Sequence, residues 1–343
     1  MTAAPAAAGD VAAGLAAFLE QQWARPVVVT GAEASSAGAR RANLAVDVEL
    51  GGGRPVTRRL VVTIVPTAAI QLNGVDAESA VRTLARGHGV PVPEVVAFST
   101  DPSWMGGPFF VSERVDGETV PRAVLRLVDR HGIGDLLAGQ LGTAITRLHA
   151  IDPATAPSAL LDLGDGAPAE TALAALDAPM AGLLEPRPAL SLGLRWLARN
   201  LPSAPERLSL VHTDIRTGNL IVGDDGLRAV LDWEGARRRG DPMEDVAWLA
   251  LRMWRFRNDD REVGGFSTLD PFVEAYEAAG GRFDAERYRW WKVYGTLKWG
   301  LGLAAQAAAH VEGTFRSIVM AASGRRVPEM EWDLLMLIDP RRR

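Results

Sequence analysis

Between Leu208 and Glu234 two apolar, β-type runs each lead to an acidic residue, and the residues between them leave few ways to fold. The first run, Leu208 to Val211, enters the stretch His212-Thr213-Asp214-Ile215-Arg216-Thr217-Gly218-Asn219. A two-strand return through Asp224-Asp225-Gly226, an Asp-Gly step suited to a tight hairpin, then leads to Asp232-Trp233-Glu234. Strand, loop and hairpin in that order bring Asp214, Asn219 and Asp232 to one place.

Two carboxylates and an amide that converge suit phosphoryl transfer, where the protein positions a hydroxyl against a γ-phosphate and holds Mg²⁺ across the phosphate oxygens. Mg²⁺ prefers hard oxygen ligands and keeps waters, so Asp232 and the Asn219 carbonyl make a natural partial shell. Asp214 is then left to accept the hydroxyl proton. Taken alone, D-x-x-x-x-N is turn chemistry more often than catalysis, because Asp and Asn side chains bond neighbouring backbone. A His two residues before Asp214, a β-run before both and a second β-run ending at Asp232 favour the catalytic reading.

At 343 residues the chain is long enough for two lobes and a sizeable core. Its net charge of -5 gives no support to a nucleic-acid partner or an anionic membrane. It has no cysteine, which excludes disulfides, thiolate metal sites and Cys nucleophiles. His88, His131, His149, His212 and His310 form no H-E-x-x-H pair, which disfavours a metal hydrolase, and no G-x-G-x-x-G follows a strand, which disfavours dinucleotide binding. Met1 to Leu19 lacks the basic start and long apolar core of a signal peptide, and no later apolar run is long enough to span a bilayer, so a cytoplasmic protein is expected.

Asp10 is expected to cap a helix through Val11, Leu15, Phe18 and Leu19 to about Trp23. β-runs follow at Pro26 to Thr30, Leu44 to Leu50 and Thr57 to Val65, the last two joined by Gly51-Gly52-Gly53. A helix from about Asp76 to Arg86 and strands near Glu94 to Phe98 and Phe109 to Glu113 complete a small, mostly antiparallel sheet. After Asp116-Gly117 the pattern turns helical, with helices at Pro121 to His131, Asp135 to Ala150, Ala169 to Leu176 and Leu190 to Asn200. Asp241-Pro242 reads as a cap and first turn of a helix carrying Val246, Leu249, Met253 and Trp254 on one face. Further helices fit Pro271 to Ala279, Asp284 to His310 and Glu329 to Leu337; Trp290, Val293, Tyr294, Leu297 and Leu301 form a core seam on the second of these.

This layout resembles the aminoglycoside phosphotransferase/choline-kinase-like branch of the protein-kinase-like fold over nearly the whole chain. His212-x-Asp214 with Asn219 resembles that family's H-x-D-x-x-x-x-N loop, Leu231-Asp232-Trp233-Glu234 its second metal motif, and Gly240-Asp241-Pro242-Met243-Glu244-Asp245 its G-D-P-x-x-D segment. The resemblance implies an α+β, bilobal fold: residues 1–115 as a nucleotide-binding lobe with a small antiparallel sheet, and residues 116–343 as a larger, mostly helical lobe for catalysis and acceptor binding. It implies Asp214 as the base, Asn219 and Asp232 as Mg²⁺ ligands, ATP or GTP as donor and a hydroxyl on a small molecule as acceptor. His212, Asp241 and Asp245 become supports of the site. Gly31 to Gly38, with Ser35 and Ser36, is placed to cradle phosphates through backbone N–H groups. Backbone at Glu113 to Val115 would meet the adenine edge.

One departure stands out. In the family, the strand matching Leu60 to Val65 carries Lys or Arg near its end, paired to a helix Glu and to the phosphates. Here the matching residue is Thr63, and the only lysines are Lys292 and Lys298. Glu78 matches the helix Glu, and Arg82 follows it by one turn, either as a surface pair or as a substitute cation reaching the phosphates. Arg59 shares the strand face with Thr63 but stands on the order of 13 Å away; Arg40 and Arg41 are other candidates. The alternative to a kinase is a nucleotide-binding protein without turnover, disabled at Thr63. The C-terminal lobe mixes Arg252, Arg255, Arg257, Trp248, Trp254, Trp290, Trp291 and Trp299, which suits an acceptor with apolar or anionic parts better than a polycation.

Overall fold

Period-two alternation of apolar residues sets one face of a small sheet against a helix. The computed structural model describes residues 8–37, 41–52, 56–66, 71–164, 166–339 and 341. Helix α1 (Ala8–Trp23) is followed by β1 (Val27–Ala37), β2 (Ala42–Leu50), β3 (Val56–Ile64), α2 (Val75–Gly87), β4 (Val95–Ser99) and β5 (Phe109–Glu113). The strands pair antiparallel in the order β1-β2-β3-β5-β4. Leu44, Val46, Val48 and Leu50 alternate onto the buried face of β2 and join Leu60, Val62 and the α1 residues Val11, Leu15, Phe18 and Leu19 in one core. Each such side chain contributes about 1.5–3 kcal/mol when fully buried.

The stretch expected as a phosphate-cradling loop is strand instead. β1 continues to Ala37, pairing Ser36 with Asn43 and Ala37 with Ala42, and register shifts at Val29/Gly31 and Ala34/Ser36 absorb the irregularity. β2 offers a ladder to pair with, so tertiary context overrides composition. Gly38 and Arg40 lie outside the described residues, as does Gly53 of the expected glycine turn.

From Pro121 the chain is mostly helical. α3 (Pro121–His131), α4 (Gly134–Ala150), α5 (Pro168–Ala174), α6 (Asp177–Ala181) and α7 (Pro188–Arg199) precede β6 (Ser209–Val211), β7 (Leu220–Gly223), β8 (Gly226–Val230) and β9 (Arg237–Gly240). Then come α8 (Pro242–Leu249), α9 (Asp270–Ala278), α10 (Ala285–Val311), α11 (Ile318–Ser323) and α12 (Val327–Ile338). Asp284 caps α10 by accepting from Arg287 N at 3.0 Å, and the helix buries its expected seam of Trp290, Val293, Tyr294, Leu297 and Leu301. Helices α6 and α11 leave no trace in the sequence pattern, because five and six residues are too few to show a helical period.

The helix expected to carry Met253 and Trp254 stops short of them. The Leu249 carbonyl accepts from Gly264 N at 3.3 Å and the Ala250 carbonyl from the Arg255 guanidinium at 3.0 Å. With its last carbonyls satisfied from elsewhere, α8 ends, and Met253 and Trp254 sit in a separate 3₁₀ turn, Arg252–Trp254.

Packing divides the chain differently from its order. α1 and the sheet share one core, whereas Ala77, Val81 and Ala85 of α2 join the core of the helical lobe. Buried Asn73, just before α2, donates to the carbonyls of Glu234 and Ala236 at 2.9 and 2.8 Å and accepts from Leu161 N at 2.7 Å. Helix α2, which a division after residue 115 assigns to the first lobe, is thus stitched to the second.

Candidate active site

The β7–β8 hairpin delivers two of the three convergent residues. Its turn contains Gly226 at φ 101°, a value that favours glycine, and its register sets Leu220 against Val230. Asn219 and Leu231 therefore flank the open end, where Leu231 N–H donates to the Asn219 carbonyl at 2.8 Å and Asp232 follows at once. Asp214 arrives from β6, which pairs with β9 and is fully buried. Asn219 closes the triangle: its Nδ2 donates to the Asp214 carbonyl at 2.8 Å and to Asp214 Oδ2 at 2.7 Å. This commits the amide nitrogen to Asp214, so Oδ1 is the atom Asn219 would offer a metal.

Two groups that the sequence pattern did not single out as site residues complete the surroundings of Asp214. Trp248 Nε1 of α8 donates to Oδ1 at 2.7 Å, and Arg216 Nε lies 3.2 and 3.3 Å from the two carboxylate oxygens. The Arg216 guanidinium also stands 5.1 Å from the Trp254 ring centre, a cation–π distance. Arg216 was within reach of sequence reasoning as the one cation inside the loop; Trp248, contributed by a helix 34 residues away, was not. Exposed Lys298 of α10 lies over Trp248, 5.2 Å from its ring centre.

The loop is held in a strained shape. Thr213 and Asp232 adopt φ of 73° and 65°, in the left-handed region that costs a non-glycine residue free energy and persists only where the surroundings impose it. Here they do. Asp245, wholly buried, accepts from His212 N at 2.9 Å and Thr213 N at 2.6 Å, and Thr213 Oγ1 donates to the Gly235 carbonyl at 3.0 Å. His149 Nε2 contacts Asp245 at 3.1 Å, and His149 Nδ1 lies 3.0 Å from the Tyr276 hydroxyl. Burial works against the Asp245 charge, but His149 and the backbone N–H groups outweigh it and hold the carboxyl below its usual range.

His212 ties the two strained segments together. Its Nε2 lies 3.0 Å from the Leu231 carbonyl and its Nδ1 3.3 Å from Asp214 N, the pattern of a neutral ring that donates on one side and accepts on the other. Burial pushes its pKa down, in keeping with that neutral form. Asp241 caps α8 by accepting from Met243 N at 3.0 Å and sits 3.4 Å from Arg287.

On the other side of Asp232, Thr63 of β3 is buried and donates to Asn43 Oδ1 at 2.8 Å. Glu78 is 1 % exposed and meets Arg41 Nη1 at 2.8 Å; Arg41 Nε in turn meets Glu234 Oε2 at 3.0 Å. Burial opposes the Arg41 charge, yet Glu78, Glu234 and Asp232 more than offset it and raise the guanidinium above its ordinary range. Arg82 is neither a surface residue nor the ion-pair partner of Glu78. It is 4 % exposed, lies 4.5 Å from the Phe110 ring centre and is 3.4 Å from the Pro93 carbonyl, and burial pushes it down to about 10. That position gives it no open face for a nucleotide. Arg59 pairs with exposed Asp116 at 2.8 Å.

At the junction after β5, the N–H groups of Glu113 and Arg114 donate to the Glu94 and Arg59 carbonyls, both at 2.9 Å, and the Glu113 side chain accepts from Arg58. Val115 follows outside the strand. Asp232 offers a carboxylate and Asn219 an amide oxygen, the hard oxygen donors that Mg²⁺ prefers.

Residues 34–291 match the family model described as the phosphotransferase enzyme family. The chain belongs to that family. Among curated relatives, mouse acyl-CoA dehydrogenase family member 10 is 24% identical over 286 residues, and chicken acyl-CoA dehydrogenase family member 11 is 29% identical over 179 residues. These alignments cover 79% and 51% of this chain but only 26% and 22% of the relatives, so the chain spans about a quarter of their length. Solved structures confirm the bilobal fold of this family member. A Ralstonia eutropha protein classed with the aminoglycoside phosphotransferases superposes with TM-score 0.71 at 22% identity, covering 95% of this chain and 97% of its own. Aminoglycoside phosphotransferase APH(4)-Ia, in a ternary complex with ADP and hygromycin B, gives TM-score 0.60 at 17% identity over 93% and 98% of the chains. A choline/ethanolamine kinase family protein from Mesorhizobium loti gives 0.59 at 18% over 91% and 90%.

Proposed function

We propose that this phosphotransferase-family protein transfers the γ-phosphate of ATP or GTP to a hydroxyl of a small molecule. The observation that carries the reading is the convergence of Asp214, Asn219 and Asp232 at one end of the β7–β8 hairpin, where Asn219 Nδ2 donates to Asp214 and the Asn219 carbonyl accepts from Leu231, the residue before Asp232. Asp214 orients the acceptor hydroxyl and takes its proton as the new bond to γ-phosphorus forms and the bond to the β–γ bridging oxygen breaks, releasing the nucleoside diphosphate; in a loose transition state orientation matters more than basicity. Asn219 Oδ1 and the Asp232 carboxylate would hold Mg²⁺, which when bound offsets charge on the phosphate oxygens. His212, Asp241 and Asp245 fix the loops that carry these groups. Backbone at Glu113 to Val115 is the proposed adenine edge, and the strand that includes Ser35 and Ser36 borders the phosphates. That solved structures of this fold include complexes with ADP and with GDP supports a nucleotide donor.

On the acceptor side, Asp214 is bordered by Trp248, Trp254, Arg216 and Lys298. This mixture of rings and cations favours an acceptor with apolar or anionic parts. A nucleotide-binding protein without turnover has no support from the family match, and the site keeps Asp214, Asn219 and Asp232 together.

The test is phosphate transfer from ATP with Mg²⁺ across a panel of alcohols, with Asp214→Asn as control. Transfer by the unaltered protein and its loss in the variant, with nucleotide binding retained, is the expected result; equal transfer by Asp214→Asn would overturn the assignment.

A further inference from the structure

We propose that Arg41, at the entrance to β2, supplies the cationic contact to the nucleotide phosphates that kinase-type sites take from a lysine on β3. The inference rests on the phosphotransferase reading and deepens it. In such sites a β3 cation is paired with an acidic residue on the following helix and reaches the phosphates. Here β3 offers Thr63, whose hydroxyl is already engaged by Asn43. In the β2–β3 register Asn43 stands opposite Thr63, and Arg41 lies two residues along from Asn43. The cation has therefore moved one strand over, by about the 4.8 Å that separates neighbouring strands, a shift the long arginine side chain spans.

Its contacts are those the role demands. Arg41 Nη1 meets Glu78 on α2 at 2.8 Å, the acidic partner that the helix after β3 is expected to supply. Arg41 Nε meets Glu234 at 3.0 Å, two residues beyond the proposed metal ligand Asp232, and the Asp232 charge acts on the guanidinium as well. The guanidinium therefore sits between α2 and the Asp232 loop, where the phosphates must lie if Asp232 and Asn219 hold their metal. The planar fork of arginine can hold two carboxylates while offering a further N–H to an anion. Arg82, the other cation near Glu78, is sealed against Phe110.

An ionic latch between sheet and loop, without contact to any nucleotide, would show the same contacts, so the experiment must separate phosphate binding from architecture. Calorimetric titration of the full chain with ADP plus Mg²⁺ and, separately, with adenosine should be run for the unaltered protein, Arg41→Gln, Arg41→Lys and Arg82→Ala. Loss of a charge-assisted contact predicts that Arg41→Gln weakens ADP binding about tenfold or more and flattens its salt dependence while adenosine affinity holds, and the loss of the partner of buried Glu78 lowers the melting temperature separately. Arg41→Lys, which keeps the charge but not the planar fork, should lose less ADP affinity than Arg41→Gln, and Arg82→Ala should change the melting temperature more than the ratio of ADP to adenosine affinity. Unchanged ADP binding by folded Arg41→Gln, or equal loss of ADP and adenosine, would overturn the proposal. If the unaltered protein binds neither ligand, the phosphotransferase reading fails and takes this proposal with it.

Discussion

Trp248 Nε1 donates to Asp214 Oδ1 at 2.7 Å, so a helix that follows the hairpin reaches back to aim the carboxylate proposed as base. The opposite oxygen is held by Asn219 at 2.7 Å. Between them the two donors fix the carboxylate plane before any substrate arrives, which is how an active site gains from preorganisation.

Trp248→Phe keeps most of the ring and removes the donor. A hydrogen bond to a charged group is worth about 1.5–3 kcal/mol, so kcat should fall about tenfold or more while the KM for ATP holds. Steady-state kinetics with a turned-over alcohol would decide it. An unchanged kcat would show that Asn219 and Arg216 suffice to orient Asp214.

Asp232→Asn should uncouple the metal from nucleotide binding. In the unaltered protein, ATP with Mg²⁺ should raise the melting temperature, by about 2.7 kcal/mol of added stability at a hundredfold excess over Kd, and chelating the metal should remove most of the gain. The variant should show the chelated value under both conditions. A full Mg²⁺-dependent shift in Asp232→Asn would remove Asp232 from the metal site.

Asp245→Ala would leave the buried N–H groups of His212 and Thr213 without their acceptor. Breaking a buried charged network of this kind costs about 3–5 kcal/mol, enough to lower the urea midpoint clearly. Asp245→Asn, which can still accept at one atom, should lose less. Equal midpoints for all three proteins would show that the strained loop holds itself.

The buried His212 gives stability a pH dependence with a definite sign. Burial lowers its pKa in the folded state even though Asp245, Asp214 and Asp232 pull the other way. A histidine depressed in this manner contributes its full share above its unfolded value, about 6.5, and that share is lost as pH falls below it. Urea unfolding between pH 7.5 and 5.5 should show falling stability, with a shallower fall in His212→Gln. Identical slopes would mean that another group dominates this window.

Much of this was legible in the residues. The alternation of Leu44, Val46, Val48 and Leu50 announces a half-buried strand, and Asp-Gly at 225–226 announces the hairpin that carries Asn219 and Asp232. The distance dependence of side-chain pairing is what stayed hidden. Nothing in the sequence links Arg41 to Glu78 and Glu234, or Trp248 to Asp214, because those contacts exist only once separate elements have docked. The extension of β1 through Ser36 was hidden for a related reason: strand pairing with β2, and not local composition, decides it.

Because α2 packs with the helical lobe while Arg41 belongs to the sheet, the 2.8 Å contact between Arg41 and Glu78 crosses the seam between two separately packed bodies. Rocking of the sheet over the helices would stretch or relax that contact together with the one between Arg82 of α2 and Phe110 of β5. A spectroscopic label pair flanking it would therefore read the opening of the cleft as directly as a gauge laid across a joint.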